Sequence, residues 1–150
     1  MEQQYFTPSI EDIRIGYEME INYHRGYEES FLPITLSLTD SEGVYNNDLD
    51  DILVGLDDGM YEARVPFLSK EQILKEGWNH SGAFYYAWPK DCDSEDSSRP
   101  YQWRMNWVDH TRYLKLEFYD NNYFDWFTGY EGPCKDINTL RMLMKLLNIK

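Results

Sequence analysis

The chain has 150 residues, about the size of one ordinary domain and long enough to bury a single hydrophobic core. A hydrophobic content of 42%, which includes 5 tryptophans, 13 tyrosines and 7 phenylalanines, excludes a disordered chain, because disordered chains lack the apolar surface that offsets the entropy cost of folding. The formal net charge of −13 opposes contact with phosphate backbones and anionic lipid. We therefore predict one folded domain, residues 1–150, that binds neither nucleic acid nor membranes directly.

The first predicted elements are two strands and a short helix. Residues 13–23 read as the clearest strand, because apolar side chains alternate with polar ones throughout. A second strand is expected at 34–38. The apolar residues of 49–56 then recur at the spacing of one helical face, and Asn47 or Asp48 can cap this helix by accepting hydrogen bonds from its first N–H groups.

The middle of the chain returns to strand character at 61–68 and then to helix. Ser69 and Gln72 have the spacing of a capping box, in which each side chain binds the backbone N–H of the other residue. Gly77 provides a C-terminal stop. The pattern predicts a second helix at 70–76.

The remainder of the chain reads as a series of strands that ends in a helix. The predicted strands are 82–88, 101–108, 112–120 and 123–130. A polar surface loop is expected at 89–100, and a hairpin turn at 120–122, where Asp and Asn tolerate positive φ. Asp136 can cap a final helix that carries one apolar stripe. These elements predict an α+β fold, a mainly antiparallel sheet with two short helices and a C-terminal helix packed on one face.

Three segments carry a resemblance to known sequences: SIEDIRIGYEMEI at 9–21, ARVPFLSKEQILKEGW at 63–78 and TLRMLMKLLNI at 139–149. In their order and spacing they resemble small uncharacterised proteins encoded by phages and mobile elements of gut bacteria. The resemblance implies an origin and an architecture but no activity, because none of the segments is a chemical motif. Since the sequence also shows no signal peptide and no apolar run of membrane-spanning length, we expect a soluble protein in the cytoplasm of the host cell.

Gly16, Glu18 and Glu20 form a pattern that suggests an enzyme. It is similar to the G-x-E-x-E strand of carboxylate-amine ligases of the glutamine-synthetase type, where two carboxylates on one strand face coordinate magnesium. The alternative function is therefore a small magnesium-dependent, nucleotide-using enzyme with Glu18 and Glu20 as metal ligands. We favour two solvent-facing glutamates on an amphipathic strand, because the sequence has no Gly-rich phosphate loop and is short for such a fold.

The acidic residues are unevenly distributed along the chain. Between Glu28 and Glu62 there are 10 acidic residues and no lysine or arginine. Such a segment is either a solvated face that keeps the protein soluble, or an anionic surface that imitates nucleic acid and occupies the basic groove of a nucleic-acid enzyme. The candidate contact residues of this acidic surface are Asp48, Asp50, Asp51, Asp57 and Asp58.

Aromatic residues crowd the segments FYYAW at 84–88, YQWRMNW at 101–107 and YFDWF at 123–127. Most of them should build the core, but five tryptophans are many for one small core. We therefore expect an exposed aromatic cluster that anchors a partner, with Trp103 and Trp107 as its members.

Taken together, these features favour a protein without catalytic activity. The predicted function is that of a phage-type accessory protein that binds an unidentified protein partner through its acidic and aromatic surface. In its specific form, this protein inhibits or acts as a decoy for a host nucleic-acid or defence protein. No cofactor is predicted, and a virion-associated structural protein is a further alternative.

Overall fold

The computed structural model describes residues 2–23, 30–38, 48–81, 85–88, 103–120 and 122–149. The chain forms two compact units, Met1–Phe67 and Leu68–Lys150. Each unit contains an antiparallel sheet with at least one helix, so the predicted α+β class with a C-terminal helix is confirmed, although with two sheets where the sequence suggested one. That residues 1–150 behave as one domain stays a prediction.

Within its described residues, the first unit is built on a four-stranded antiparallel sheet with one α-helix. Its elements are β1 (Tyr5–Phe6), β2 (Glu18–Asn22), β3 (Leu32–Thr35), α1 (Leu49–Asp57) and β4 (Glu62–Pro66). The strand order is β1-β4-β2-β3. Met19 and Ile21 alternate along β2 and are buried, and they share a core with Ile52 of α1 and Val65 of β4. This sheet therefore has its core face against α1, as its period of two requires.

Strand β2 is shorter than its sequence pattern. Alternation begins at Ile13, but the strand begins at Glu18, because Gly16 lies in the preceding turn with a φ of +79°. There the N–H of Gly16 donates to the carbonyl oxygen of Leu36 at 2.8 Å. A residue in this left-handed conformation cannot continue an extended strand. Glycine adopts the conformation without steric penalty because it has no Cβ. The prediction that Gly16 shares a strand face with the two glutamates is wrong.

The second unit contains a five-stranded antiparallel sheet and two helices. Its elements are α2 (Lys70–Lys75), β5 (Asn79–Ser81), β6 (Tyr85–Trp88), β7 (Trp103–Val108), β8 (Tyr113–Asp120), β9 (Asp125–Pro133) and α3 (Ile137–Leu146). Each strand pairs with the next one along the chain. Ile73 of α2 and Leu140 of α3 are fully buried in one core with Met105 and Leu116 of the sheet. Both helices therefore cover the same face of this sheet.

Each α-helix begins at a side chain that binds its first backbone N–H groups. Asp48 caps α1, and the carboxylate of Asp136 accepts a hydrogen bond of 2.7 Å from the N–H of Thr139 in α3. Ser69 and Gln72 form both bonds of a capping box at the start of α2, at 3.3 Å and 3.0 Å. All three predicted helix starts are confirmed. Asn47, the other candidate cap of α1, lies outside the described residues.

The β8–β9 hairpin positions the candidate site. The strand register shifts between Leu116 and Glu117, which leaves Gly129 without a partner on β8. The turn covers residues 122–124, and β9 begins at Asp125 rather than at 123 as predicted. Phe124 takes the left-handed conformation in this turn, with a φ of +55°, whereas Asn122 does not, and Asn121 lies outside the described residues.

Several predicted features lie wholly or partly outside the described residues, namely the polar loop at 89–100, residues 28–29 and 39–47 of the acidic segment, residues 82–84 and 101–102 of two predicted strands, and Asn121 of the predicted turn. The remaining predicted strands are present in the described ranges, with shorter or shifted ends. None of the helices in those ranges combines the length and the apolar character that crossing a membrane requires.

Candidate functional site

The turn of the β8–β9 hairpin presents the most exposed large hydrophobic side chains in the described part of the chain. Tyr123 is 73% exposed and Phe124 is 80% exposed, and Phe127 at the start of β9 is 40% exposed. We call these three residues the aromatic tip. Side chains that stay in water contribute little hydrophobic stabilisation to folding. The same rings offer a large and rigid contact area to a binding partner.

Within the aromatic tip, the backbone of Phe124 has a strained conformation. Its φ of +55° lies in the left-handed region, which costs a bulky residue roughly 1–2 kcal/mol. Asparagine tolerates this region better, and Asn122 stands only two residues away. Neither burial nor turn geometry therefore explains a phenylalanine here. Residues held in strained backbone conformations concentrate at functional sites, which makes this position a candidate contact.

A series of ring contacts joins the aromatic tip to the core of the second unit. Tyr123 meets Phe127 at a centroid distance of 5.8 Å, Phe127 stacks on Phe118 at 5.9 Å, and Phe118 contacts Trp103 at 5.5 Å. These distances lie within the range of favourable aromatic pairs, about 4.5–7 Å. We call Trp103, Phe118, Phe127 and Tyr123 the aromatic ladder. Rings held in place before binding lose little rotamer freedom when a partner docks.

Two aspartates flank the aromatic tip. Asp120 ends β8 and Asp125 begins β9, and the two residues are directly opposite in the strand register. The Asp120 carboxylate accepts a hydrogen bond of 2.7 Å from the N–H of Asn122, and the Asp125 carboxylate one of 2.8 Å from the N–H of Trp126. Within the described ranges neither carboxylate has a basic partner. Like charges across a strand pair are unfavourable for the hairpin itself.

Trp103 and Trp107, the predicted members of the exposed cluster, are half-buried. Both pack against the core of the second unit. The ring of Trp103 covers Gly129, since a Cβ at that glycine would lie 2.9 Å from Trp103 Cζ3. The Nε1 atom of Trp107 is buried, and none of the described residues accepts a hydrogen bond from it. An exposed aromatic cluster exists, but it consists of the aromatic tip, and Trp103 only supports it from the core side.

The five predicted acidic contact residues belong to α1 and its caps. Asp48 is the N-cap, and its carboxylate accepts hydrogen bonds from the N–H groups of Asp50 at 3.0 Å and Asp51 at 3.4 Å. Asp50 and Asp51 are exposed in the first helical turn, where the helix dipole favours negative charge. The stability of α1 is therefore sufficient to explain these three positions.

Asp57 and Asp58 lie at the opposite end of α1. Asp57 is the last helical residue, Asp58 is the C-cap, and both are exposed. The last turn contains no basic residue. The interaction of a carboxylate with the helix dipole at a helix C-terminus is unfavourable by about 0.3–1 kcal/mol. Helix stability does not explain these two residues, which makes them the stronger candidates for contact with a partner.

The net negative charge belongs almost entirely to the first unit. Residues 1–67 contain 15 acidic and 3 basic residues, a net charge of −12, whereas residues 68–150 contain 12 acidic and 11 basic residues, a net charge of −1. The first unit is thus polyanionic. The second unit is close to neutral and carries the aromatic tip. The acidic and the aromatic surfaces predicted from the sequence belong to different units.

Glu18 and Glu20 lie on the face of β2 opposite the buried Met19 and Ile21. The Glu20 carboxylate pairs with Arg64 Nε at 2.6 Å and accepts a hydrogen bond of 3.4 Å from the Tyr5 hydroxyl. The Arg64 guanidinium lies between two rings, 4.0 Å from the centroid of Tyr5 and 4.1 Å from that of Phe31. Glu20 therefore has a cationic partner at the position that the alternative function gives to magnesium. In the described part of the chain, no three His, Cys, Asp or Glu residues are grouped to hold a metal ion.

A second charged cluster lies on the sheet face opposite α2 and α3. Glu117 binds Arg104 Nε at 2.8 Å and Lys115 Nζ at 3.0 Å. Burial raises the pKa of Glu117, but the hydrogen bonds and the positive charges of Arg104 and Lys115 together outweigh it and hold this pKa below its usual value. The Arg104 guanidinium also lies 4.4 Å from the ring centroid of Trp126. Because Arg104 of β7 binds Glu117 of β8 and lies over the Trp126 ring of β9, the cluster links three strands of the sheet.

No protein family, curated protein or solved structure matches the chain. The phage-type origin therefore stays an expectation from the sequence. The features from which a function can be inferred are the aromatic tip and the polyanionic first unit.

Proposed function

We propose that the protein is a non-enzymatic accessory protein of phage type that acts by binding another protein. The observation that carries this proposal is the aromatic tip. Tyr123 and Phe124 stay in water, and Phe124 holds a strained backbone conformation. Neither property stabilises the fold, whereas exposed, rigid aromatic side chains are the residues that dominate binding energy at protein interfaces.

The charge of the first unit supports a more specific form of the proposal. A net charge of −12 on residues 1–67 attracts basic surfaces and speeds encounter with them. Host proteins that handle nucleic acid, including defence proteins, carry such surfaces because they neutralise phosphates. In this form the protein inhibits its partner as a decoy that occupies the nucleic-acid groove. Asp57 and Asp58 are the residues of α1 that we expect to contribute.

The proposal is tested by affinity capture from a lysate of gut bacteria, washed at low and at high salt and read by mass spectrometry. Three variants are compared with the wild-type protein: Tyr123→Ser with Phe124→Asn, Asp57→Asn with Asp58→Asn, and Leu146→Ser as a control. We expect the wild-type chain to capture one protein at low salt, and we expect the first two variants to capture less of it. Charge screening should also weaken this capture at high salt.

The control removes an apolar side chain of similar exposure from another place in the second unit. Leu146 is 72% exposed on α3, compared with 73% for Tyr123. Its substitution should leave capture unchanged, because Leu146 belongs neither to the aromatic tip nor to α1. The proposal would be contradicted if the aromatic and the acidic variants both captured a partner as well as the wild-type chain does. It would also be contradicted if no protein were captured at either salt concentration.

A further inference from the structure

We infer that the aromatic tip docks into an apolar pocket on the partner protein whose rim carries lysine or arginine side chains. The inference rests on the proposed function and names the chemistry of the partner surface. It is carried by one juxtaposition, in which the exposed Tyr123 and Phe124 lie in the turn that joins the register partners Asp120 and Asp125.

The apolar part follows from the exposure and support of the rings. Tyr123 and Phe124 are adjacent and more than two-thirds exposed, with the Phe127 ring 5.8 Å from that of Tyr123. They lie in a turn at the end of the hairpin, and an aromatic pair exposed there gains hydrophobic contact on several sides only inside a concave apolar pocket. The aromatic ladder fixes Tyr123 from the core side, so docking requires little ordering.

The cationic rim follows from the two carboxylates. Within the described ranges, neither Asp120 nor Asp125 has a basic partner, and each binds only a backbone N–H of the turn or of β9. A pocket that closes over the tip removes water from both carboxylates, and a desolvated carboxylate without a cationic partner is strongly unfavourable. Lysine or arginine at the rim supplies that partner and can also lie over the tyrosine ring as a cation–π contact.

The same charges argue against two other occupants. A second copy of this chain would bring Asp120 and Asp125 close to their own equivalents, and it carries the same net charge of −13. An anionic lipid surface would be repelled in the same way. A cationic protein surface is the occupant with complementary charge.

The test uses a library of disulfide-constrained random dodecapeptides, selected on the immobilised wild-type chain and counter-selected on the variant Tyr123→Ser with Phe124→Asn. Peptides that survive should combine lysine or arginine with aromatic or aliphatic residues. Their affinity should fall roughly tenfold or more in the variant Asp120→Asn with Asp125→Asn. This variant keeps the acceptor oxygens for the N–H groups of Asn122 and Trp126 and removes only the charge. Leu146→Ser should leave the affinity unchanged.

Three results would overturn the inference. One is a selection from which no peptide survives the counter-selection, since every peptide that binds the wild-type chain then binds outside the aromatic tip, for example on the acidic first unit. Another is a set of tip-dependent peptides without basic residues. The third is a dimer of the wild-type chain, detected by sedimentation, that disappears in Phe124→Asn. None of these three results decides the proposed function, which is tested separately by the lysate experiment. There, the absence of any captured protein is the result that contradicts the proposed function.

Discussion

Glu20 and Arg64 are direct cross-strand partners on β2 and β4, and Arg64 Nε lies 2.6 Å from the Glu20 carboxylate. The guanidinium between the rings of Tyr5 and Phe31 is held by one charge and two aromatic faces. Glu20 thus has a structural role in the first sheet. Its sequence pattern had suggested a second role for this residue, as a magnesium ligand. The side chains of both partners are partly exposed, which limits what this pair contributes to stability.

The first prediction concerns this ion pair. Glu20→Gln should lower the free energy of unfolding by about 0.5–1 kcal/mol, because a partly exposed ion pair is worth little more. Urea unfolding of Glu20→Gln, Arg64→Met and the double variant gives the coupling energy between the two residues. Magnesium should not shift the melting temperature of the wild-type chain. A magnesium-dependent rise that Glu20→Gln abolishes would contradict this assignment and support the enzyme alternative.

The second prediction concerns Gly55 in α1. Alanine normally stabilises a helix interior relative to glycine, by about 1 kcal/mol. A Cβ at Gly55, however, would overlap the ring of Tyr61, which packs against this buried position. We expect Gly55→Ala to be net destabilising by about 1 kcal/mol or more, because overpacking outweighs the gain in helix propensity.

Urea unfolding measures this effect, with Val54→Ala as the matched control on the same helix. Val54 is 57% exposed, and its substitution should change the free energy of unfolding by less than about 0.5 kcal/mol. Adding Tyr61→Leu to Gly55→Ala should recover part of the loss, since the smaller side chain leaves room for the new methyl group. An unfolding free energy of Gly55→Ala above that of the wild type would show that the Tyr61 ring moves aside without cost.

The third prediction separates folding from binding at Phe124. Phe124→Asn should raise the free energy of unfolding by up to about 1 kcal/mol, because asparagine tolerates the left-handed φ of +55° and little buried area is lost. The same substitution should weaken partner capture. Differential scanning calorimetry measures the first effect. A lower melting temperature for Phe124→Asn would show that the exposed phenylalanine stabilises the hairpin and would remove the main reason to regard it as a binding residue.

The fourth prediction concerns stability at alkaline pH. Burial, reinforced by the Asp136 charge, raises the pKa of Cys134 from 9.0 to about 12. Between those values the folded chain keeps the thiol proton that the unfolded chain has lost. The contribution of Cys134 to stability is therefore complete below pH 9 and is lost as the pH rises through about 12. Burial also raises the pKa of Tyr86 and Tyr130, which adds to the loss in the same direction.

Urea unfolding between pH 8 and pH 11 measures this loss. Cys134→Ala removes one of the titrating groups, so its free energy of unfolding should fall less steeply with pH than that of the wild type, whatever its absolute value. The comparison of slopes is needed because the substitution also leaves a small cavity in the core. Identical slopes for the two chains would show that the thiol does not contribute.

The helix starts were predictable because their signals are local. Asp48, Ser69 and Asp136 each bind N–H groups within three residues of themselves, so the sequence contains the whole interaction. Strand existence was predictable for a related reason, since alternation reflects one buried face. The division into two sheets was not, because strand partners separated by long stretches of chain, such as β2 and β4, leave no local pattern.

The candidate site was predictable only in part. An exposed aromatic cluster was expected from the number of tryptophans, but tryptophans have the most to gain from burial, and Trp103 and Trp107 accordingly pack against the core. The useful signal was Tyr123 and Phe124 directly after a polar turn sequence, which could place two rings at a hairpin end. Propensity favoured a left-handed asparagine in the turn, but Phe124 also adopts this conformation, and Asn122 does not.

The unequal division of charge has a consequence for the folding of the chain itself. Residues 1–67 contain 15 acidic and 3 basic residues, and repulsion among the excess negative charges destabilises the folded state of this unit. Residues 68–150 have nearly balanced charges, so this repulsion is small in the second unit. Added salt screens that repulsion and should strengthen the first unit selectively. If the two units unfold in separate transitions, lowering the ionic strength should lower the melting temperature of the first unit more than that of the second.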